Sequence, residues 1–229
     1  MLDIEKLKVA YGQSVVIEDM SFKVGESEIV GILGRNGMGK TTLFRSLIGM
    51  IPTEDGKVSL GDKEITHDAS HKRVSKGLAF VPQGRMIFPY LSVYENLISG
   101  ARGSDRESDL REIYALFPVL RDMKNRKGGN LSGGQQQQLA IGRALMTKPS
   151  VLLLDEPTEG IQPSIIKDIS RSLREIRTMK NLTIVVSEQV LSFVMDTCDR
   201  IMVIEKGSIV REDKTEDVDA EQIRKMLSV

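Results

Sequence analysis

Gly34-Arg35-Asn36-Gly37-Met38-Gly39-Lys40-Thr41, followed at once by Thr42, is the stretch on which the reading of the whole chain turns. An apolar run, Ile29-Val30-Gly31-Ile32-Leu33, leads into it with the composition of a buried strand. Behind it, residues 42–48 carry Leu43, Leu47 and Ile48 on one side at helical spacing. A strand, a glycine-rich turn and a helix in that order predict a phosphate-binding loop. Gly34, Gly37 and Gly39 let the backbone close around an anion with its N–H groups turned inward. The helix beginning near Gly39 aims its positive end at the same spot. Lys40 supplies an ammonium for the β- and γ-phosphates, and the Thr41 hydroxyl is a ligand for Mg²⁺. The expectation is a bound nucleoside triphosphate.

The composition fits one large domain. The chain has 229 residues, 40% hydrophobic and 28% charged, which is ordinary for a soluble globular protein. Lys plus Arg equals Asp plus Glu at 32 each, so bulk charge gives no support for nucleic-acid binding. No apolar run approaches the roughly 20 residues that span a bilayer. The N-terminus, Met1-Leu2-Asp3-Ile4-Glu5, lacks a basic region followed by an apolar stretch, so no signal peptide is expected. One cysteine, Cys198, leaves no internal disulfide, suits the cytosol and reads as a packed thiol beside Val194 and Met195. With His67 and His71 as the only other soft ligands, a zinc site is not expected.

Taken in order, Leu7–Tyr11, Val15–Ile17 and Met20–Val24 read as strands, and Val58–Leu60 as another. Residues 62–76, which hold both histidines, read as a solvated helix or loop, and residues 77–82 as a strand ending at Gln83. From residue 84 to 147 the character turns helical. Ser92 with Glu95 three residues on forms a capping-box pattern. Leu110, Ile113, Leu116 and Phe117 mark a second helix, closed by Pro118, and residues 133–146 a third. Then come a buried strand at 151–154, a long helix from Pro163 to Met179, a strand at 182–186 and a helix at 190–197. A hairpin of 200–204 with 208–210 follows, and a short amphipathic helix carrying Ile223 and Leu227 ends the chain. This predicts an α/β fold: one domain over residues 1–229, its α/β core at about 1–83 and 148–229 and a helical subdomain at about 84–147.

Two further stretches carry chemistry. Leu152-Leu153-Leu154-Asp155-Glu156 sets a carboxylate at the carboxyl edge of a buried strand, where open α/β sheets bind ligands. Asp155 there can hold the Mg²⁺ shell, and Glu156 can orient or deprotonate the attacking water. Leu131-Ser132-Gly133-Gly134-Gln135 frees backbone N–H groups at a helix start, with the Ser132 hydroxyl beside them, and makes a second anion cradle.

At this order and spacing, residues 34–41, 131–135 and 155–156 resemble the ATP-binding cassette (ABC) ATPases over essentially the whole chain, because Leu-Ser-Gly-Gly-Gln is the signature of that family. The resemblance implies a P-loop NTPase core with an N-terminal antiparallel β-subdomain and an α-helical signature subdomain. It also implies a head-to-tail dimer in which the phosphate loop of one subunit faces the signature of the other across ATP. By position, Tyr11 is the aromatic that stacks on adenine, and Gln83 the residue that reaches Mg²⁺ and the water. Met86, Ile87, Phe88 and Tyr90, expected exposed after Gln83, would meet a membrane subunit's coupling helix or pack the helical subdomain.

Two positions depart from the family pattern. Gln189 stands where a switch histidine is usual, and Gln162 where an aspartate follows the catalytic glutamate. An amide can hydrogen-bond a γ-phosphate but cannot carry charge or take a proton as imidazole does. Glu-Gln at 188–189 resembles the branched-chain amino acid uptake ATPases. Residues 157–169, the glutamines at 135–138 and Gly84-Arg85-Met86-Ile87-Phe88-Pro89 resemble most the urea transporter's second ATPase subunit. That context implies an ATPase on the cytoplasmic face of the inner membrane, paired with a like or unlike ATPase subunit. Two membrane permease subunits and, indirectly, a periplasmic binding protein complete it, with urea as the cargo and branched-chain amino acids as the alternative. A further alternative is a family member with no transporter, acting as an ATP-gated clamp; such proteins usually fuse two cassettes or carry long basic or coiled insertions, and neither is present.

Overall fold

The computed structural model describes residues 1–103 and 105–228. In chain order it comprises β1 (Leu2–Tyr11), β2 (Ser14–Val24), β3 (Ile29–Leu33), α1 (Lys40–Leu47), β4 (Asp55–Leu60), β5 (Lys63–Glu64), α2 (Ser70–Ser75) and β6 (Leu78–Val81). Helices α3 (Val93–Ser99), α4 (Arg106–Leu116), α5 (Pro118–Asp122) and α6 (Gly133–Leu145) follow. The chain then returns to β7 (Val151–Asp155), α7 (Pro163–Lys180), β8 (Thr183–Glu188), α8 (Leu191–Thr197), β9 (Arg200–Glu205), β10 (Ser208–Lys214) and α9 (Ala220–Ser228).

Two sheets result. The antiparallel one runs β2-β1-β4-β5, and the larger runs β10-β9-β3-β8-β7-β6. In the larger sheet β9, β3, β8, β7 and β6 are parallel and β10 closes the edge as an antiparallel hairpin. Its central strands are buried on both faces, which is why β3, β7 and β8 read as unbroken apolar runs. Alternation assigns their two faces to two cores. Leu152 and Leu154 join the core under the helices, while Val151 and Leu153 join the core shared with the antiparallel sheet.

Register places the site. Leu33 pairs with Glu188, and Asp155 pairs with Ser187. The loops after β3, β7 and β8 therefore leave the same carboxyl edge side by side.

Some local readings change in the structure. Val15–Ile17 and Met20–Val24 form one strand: Leu7 pairs with Met20 and Val9 with Ile17, so the extra β2 residue is absorbed in a bulge, with Asp19 at φ 52°, instead of ending the strand. Pro118 does more than follow a helix, since it is the first residue of α5, where a missing N–H costs nothing. Strand β10 runs on to Lys214, paired with Arg200. The solvated reading of 62–76 holds for the exposed His67 and His71 but not for Arg73, which is 2% exposed. Arg73 donates to the carbonyls of Ser46 (2.8 Å) and Leu47 (2.7 Å) at the end of α1, and to those of Thr66 (2.6 Å) and Asp68 (2.9 Å). A guanidinium suits that place because its planar fork answers several carbonyls where the helix dipole is negative.

Candidate active site

The phosphate loop takes its shape from contacts as well as from glycine. Gly37 and Gly39 sit at φ 81° and 104°, conformations that favour glycine, and Gly39 is the N-cap of α1. Gly34 is needed for a different reason: a Cβ there would lie 2.6 Å from Ile204 Cγ2 and 2.8 Å from the Ile204 carbonyl oxygen. Met38 anchors the loop to the β9–β10 turn, accepting from Gly207 N–H at 3.0 Å through its carbonyl and from Lys206 N–H at 3.4 Å through sulfur.

Lys40 is buried at the root of the loop. Its Nζ donates to the carbonyls of Gly34 (2.7 Å) and Arg35 (3.0 Å) and stands 3.1 Å from Glu156 Oε1. Glu156 follows β7 at φ 47°, a left-handed turn that aims the carboxylate back toward the loop, and its N–H donates to the Ser187 carbonyl at 3.0 Å. Gln189 Nε2 donates to both Glu156 oxygens (3.0 and 3.1 Å) and to Asn36 Oδ1 (2.8 Å). Gln83 Nε2 reaches Glu156 Oε2 at 3.5 Å and Glu159 Oε2 at 3.1 Å. The loops after β3, β6 and β8 thus bring Lys40, Gln83 and Gln189 to the Glu156 carboxylate, with Asn36 against Gln189.

Asp155 lies beneath. Ser187 Oγ donates to its Oδ1 at 2.5 Å, and its Oδ2 is buried without a hydrogen-bond partner among the described residues. Burial pushes its carboxyl above the ordinary range, while the Ser187 hydrogen bond and the Thr41 hydroxyl nearby pull it back. A buried carboxylate oxygen left open beside a threonine hydroxyl is the donor set a hard divalent cation takes, its other positions going to phosphate and water. The residues fit such an ion.

Tyr11 and the signature stay outside this cluster. Tyr11, at the end of β1, is half exposed and makes no hydrogen bond to it among the described residues. Ser132 caps α6 in a capping box, its Oγ accepting from Gln135 N–H at 3.4 Å while Gln135 Oε1 accepts from Ser132 N–H at 3.0 Å. Leu131 and Gly134 are buried; a Cβ on Gly134 would meet Ile165 at 2.4 Å, so that glycine serves helix packing too. Thr42 and Arg35 add no side-chain hydrogen bond to the cluster among the described residues.

Sequence reading passed over Ser187, Glu188, Thr158 and Glu159 as site residues. The available signal was the polar pair Ser187-Glu188 closing an apolar strand, the same pattern that drew notice to Asp155-Glu156.

The chain resembles known proteins over most of its length. Residues 17–159 match the ABC transporter family model. The chain is 37% identical over 216 residues to the high-affinity branched-chain amino acid transport ATP-binding protein BraG of Pseudomonas aeruginosa, covering 93% of this chain and 92% of that protein. It is 32% identical over 218 residues to the lipopolysaccharide export system ATP-binding protein LptB of Escherichia coli, covering 91% and 88%. Among solved structures, a nucleotide-free ATP-binding cassette from an ABC transporter superposes with a TM-score of 0.85 at 27% identity, over 100% of this chain and 95% of that one. A dimeric post-hydrolysis cassette bound to ADP and Pi gives 0.82 at 26% identity, over 94% and 99%. With a phosphate loop, a carboxylate facing its lysine and a signature-capped helix all in place, the chain belongs to the ABC transporter family as an ATP-hydrolysing subunit.

Proposed function

We propose that this chain hydrolyses ATP at Glu156 and powers an importer. The convergence of Lys40, Gln83 and Gln189 on the Glu156 carboxylate carries the first part. When nucleotide enters, Lys40 exchanges Glu156 for the β- and γ-phosphates, with the N–H groups of residues 34–41 around the same anion and Thr42 one step further along α1. Glu156, released from the ammonium, accepts the proton of the attacking water. Gln83 and Gln189 offer amide N–H groups to that water and the γ-phosphate, and Asn36 orients Gln189. Tyr11 stacks on adenine. Thr41, Gln83 and Asp155 would hold Mg²⁺, which when bound offsets charge developing on the phosphates. The glycine N–H groups and hydroxyl at residues 131–135 point to a second subunit's nucleotide, so the working unit is a dimer of two copies or of this chain with a related ATPase.

Among the described residues no helix is long and apolar enough to cross a membrane. The proposed place is the cytoplasmic face of the inner membrane, against two permease subunits, with a periplasmic binding protein delivering the cargo. Met86 and Phe88 (62% and 47% exposed) and Tyr90 (85%) support a docking surface there, whereas Ile87 packs inward on the helical core. The proposed cargo is urea, on the resemblance of residues 135–138 and 157–169. Branched-chain amino acids are the second reading, favoured by the likeness to BraG.

Uptake of radiolabelled urea and leucine by a strain lacking this chain tests the proposal. Loss of urea uptake, restored by the wild type and not by Glu156→Gln, is expected. Loss of leucine uptake alone selects the second reading, and wild-type uptake of both overturns the importer.

A further inference from the structure

Glu188 closes β8 at 2% exposure, and among the described residues all its hydrogen-bond donors are uncharged. Oε1 accepts from Thr158 twice, from N–H at 3.0 Å and from the hydroxyl at 2.6 Å. Oε2 accepts from the N–H groups of Gln189 at 2.9 Å and Val190 at 3.3 Å. Its main-chain carbonyl accepts from Gly34 N–H at 3.3 Å.

One residue thus ties together three loops. Gly34 opens the phosphate loop, Thr158 lies two residues past Glu156, and Gln189 carries the amide that meets Glu156. A buried carboxylate without a cation is costly unless every lone pair is used. Burial pushes this carboxyl up, and its four donors pull it back. An apolar side chain of similar size would pack there but would strand the Thr158 hydroxyl and three N–H groups. The carboxylate is also a rigid spacer: one oxygen holds the turn that carries Glu156 and the other the backbone of Gln189.

We propose that Glu188 is a positioning residue for hydrolysis, setting Gln189 against Glu156 through Thr158. The proposal rests on the roles of Glu156 and Gln189 given above. Glu188→Gln keeps the shape but turns an NH₂ group toward N–H or O–H donors. Thr158→Val removes only the hydroxyl, and Thr158→Ser keeps it.

The test is kcat and KM for ATP of the purified chain and its variants, with nucleotide affinity and Tm alongside. Glu188→Gln and Thr158→Val should each lower kcat by about 10- to 100-fold, with KM and nucleotide affinity within about 3-fold of wild type. The double variant should be no slower than Glu188→Gln alone, since both break one link. Thr158→Ser should keep wild-type kcat. Parallel loss of kcat, nucleotide affinity and Tm in Thr158→Val would mean a purely structural contact and overturn the proposal. If Glu156→Gln abolishes turnover while Glu188→Gln or Thr158→Val runs at the wild-type rate, the proposal alone fails. If Glu156→Gln turns over normally, the assignment of Glu156 fails and this proposal with it. Should Glu188→Gln not fold, the Thr158 pair decides.

Discussion

Lys40 Nζ lies 3.1 Å from Glu156 Oε1, and both side chains are under a tenth exposed. The cation proposed for phosphate and the carboxylate proposed for water are thus paired with each other. Breaking one side of a buried pair costs about 3–5 kcal/mol, and less here because Lys40 keeps the Gly34 and Arg35 carbonyls. Glu156→Gln should therefore melt lower than wild type without nucleotide. It should also gain more Tm from a saturating non-hydrolysable ATP analogue, which supplies the missing negative charge. Equal gains in a melting assay would count against this exchange.

Asp155 makes a prediction about pH. Its carboxyl is raised above its ordinary 3.8, chiefly by burial, so the folded state favours the protonated form. The folded chain then binds more protons than the unfolded one, and stability falls as pH climbs from that ordinary value through the raised one. Above the raised value the wild type carries the full penalty. Asp155→Asn keeps an acceptor for Ser187 Oγ and removes the charge, so its Tm should exceed wild type near neutrality. The advantage should fade as pH approaches 3.8. An Asn variant that melts lower at neutral pH would refute the assignment, whatever happens to turnover.

Under the proposed function, the Gln189 amide does by hydrogen bonding what imidazole would do with a proton. The kcat–pH profile of the wild type should show no step attributable to residue 189 between about pH 5 and 8. Gln189→His should acquire one. Gln189→Ala, losing the bonds to Asn36 and Glu156, should lower kcat by about 10-fold or more. Wild-type kcat in Gln189→Ala would remove this residue from the site.

Arg73 supports the phosphate loop from the far end of α1. Arg73→Ala strands the buried carbonyls of Leu47 and Thr66, leaves that of Ser46 with the Gly49 N–H alone, and should destabilise the chain by about 2–4 kcal/mol. Arg73→Lys, with a single point of donation, should recover only part of that. Chemical denaturation of the three proteins measures the order, and a neutral Arg73→Ala would show the cap to be dispensable.

The amino-acid sequence alone determined the parts that are local. Residues 34–41 declare a phosphate loop because strand, glycines, lysine and helix are contiguous, and the same holds for Ser132 capping α6 and for Asp155 at a strand end. Gln189 was visible as an amide in a histidine's place. Which side chains meet was another matter. The contacts of Glu188 with Thr158 and of Ser187 with Asp155 cross 30 and 32 residues of chain, and exist because β7 and β8 lie parallel with Asp155 level with Ser187. A one-residue slip would turn every one of these side chains to the opposite face. Arg73 in a polar stretch looked solvated, since nothing nearby in sequence announces that the end of α1 lies over it. Gly34 read as a glycine for the anion, while its clash with Ile204 belongs to a strand 170 residues later. Local pattern specifies backbone shape; strand order and register, set by burying both faces of the sheet, decide which polar groups share its carboxyl edge.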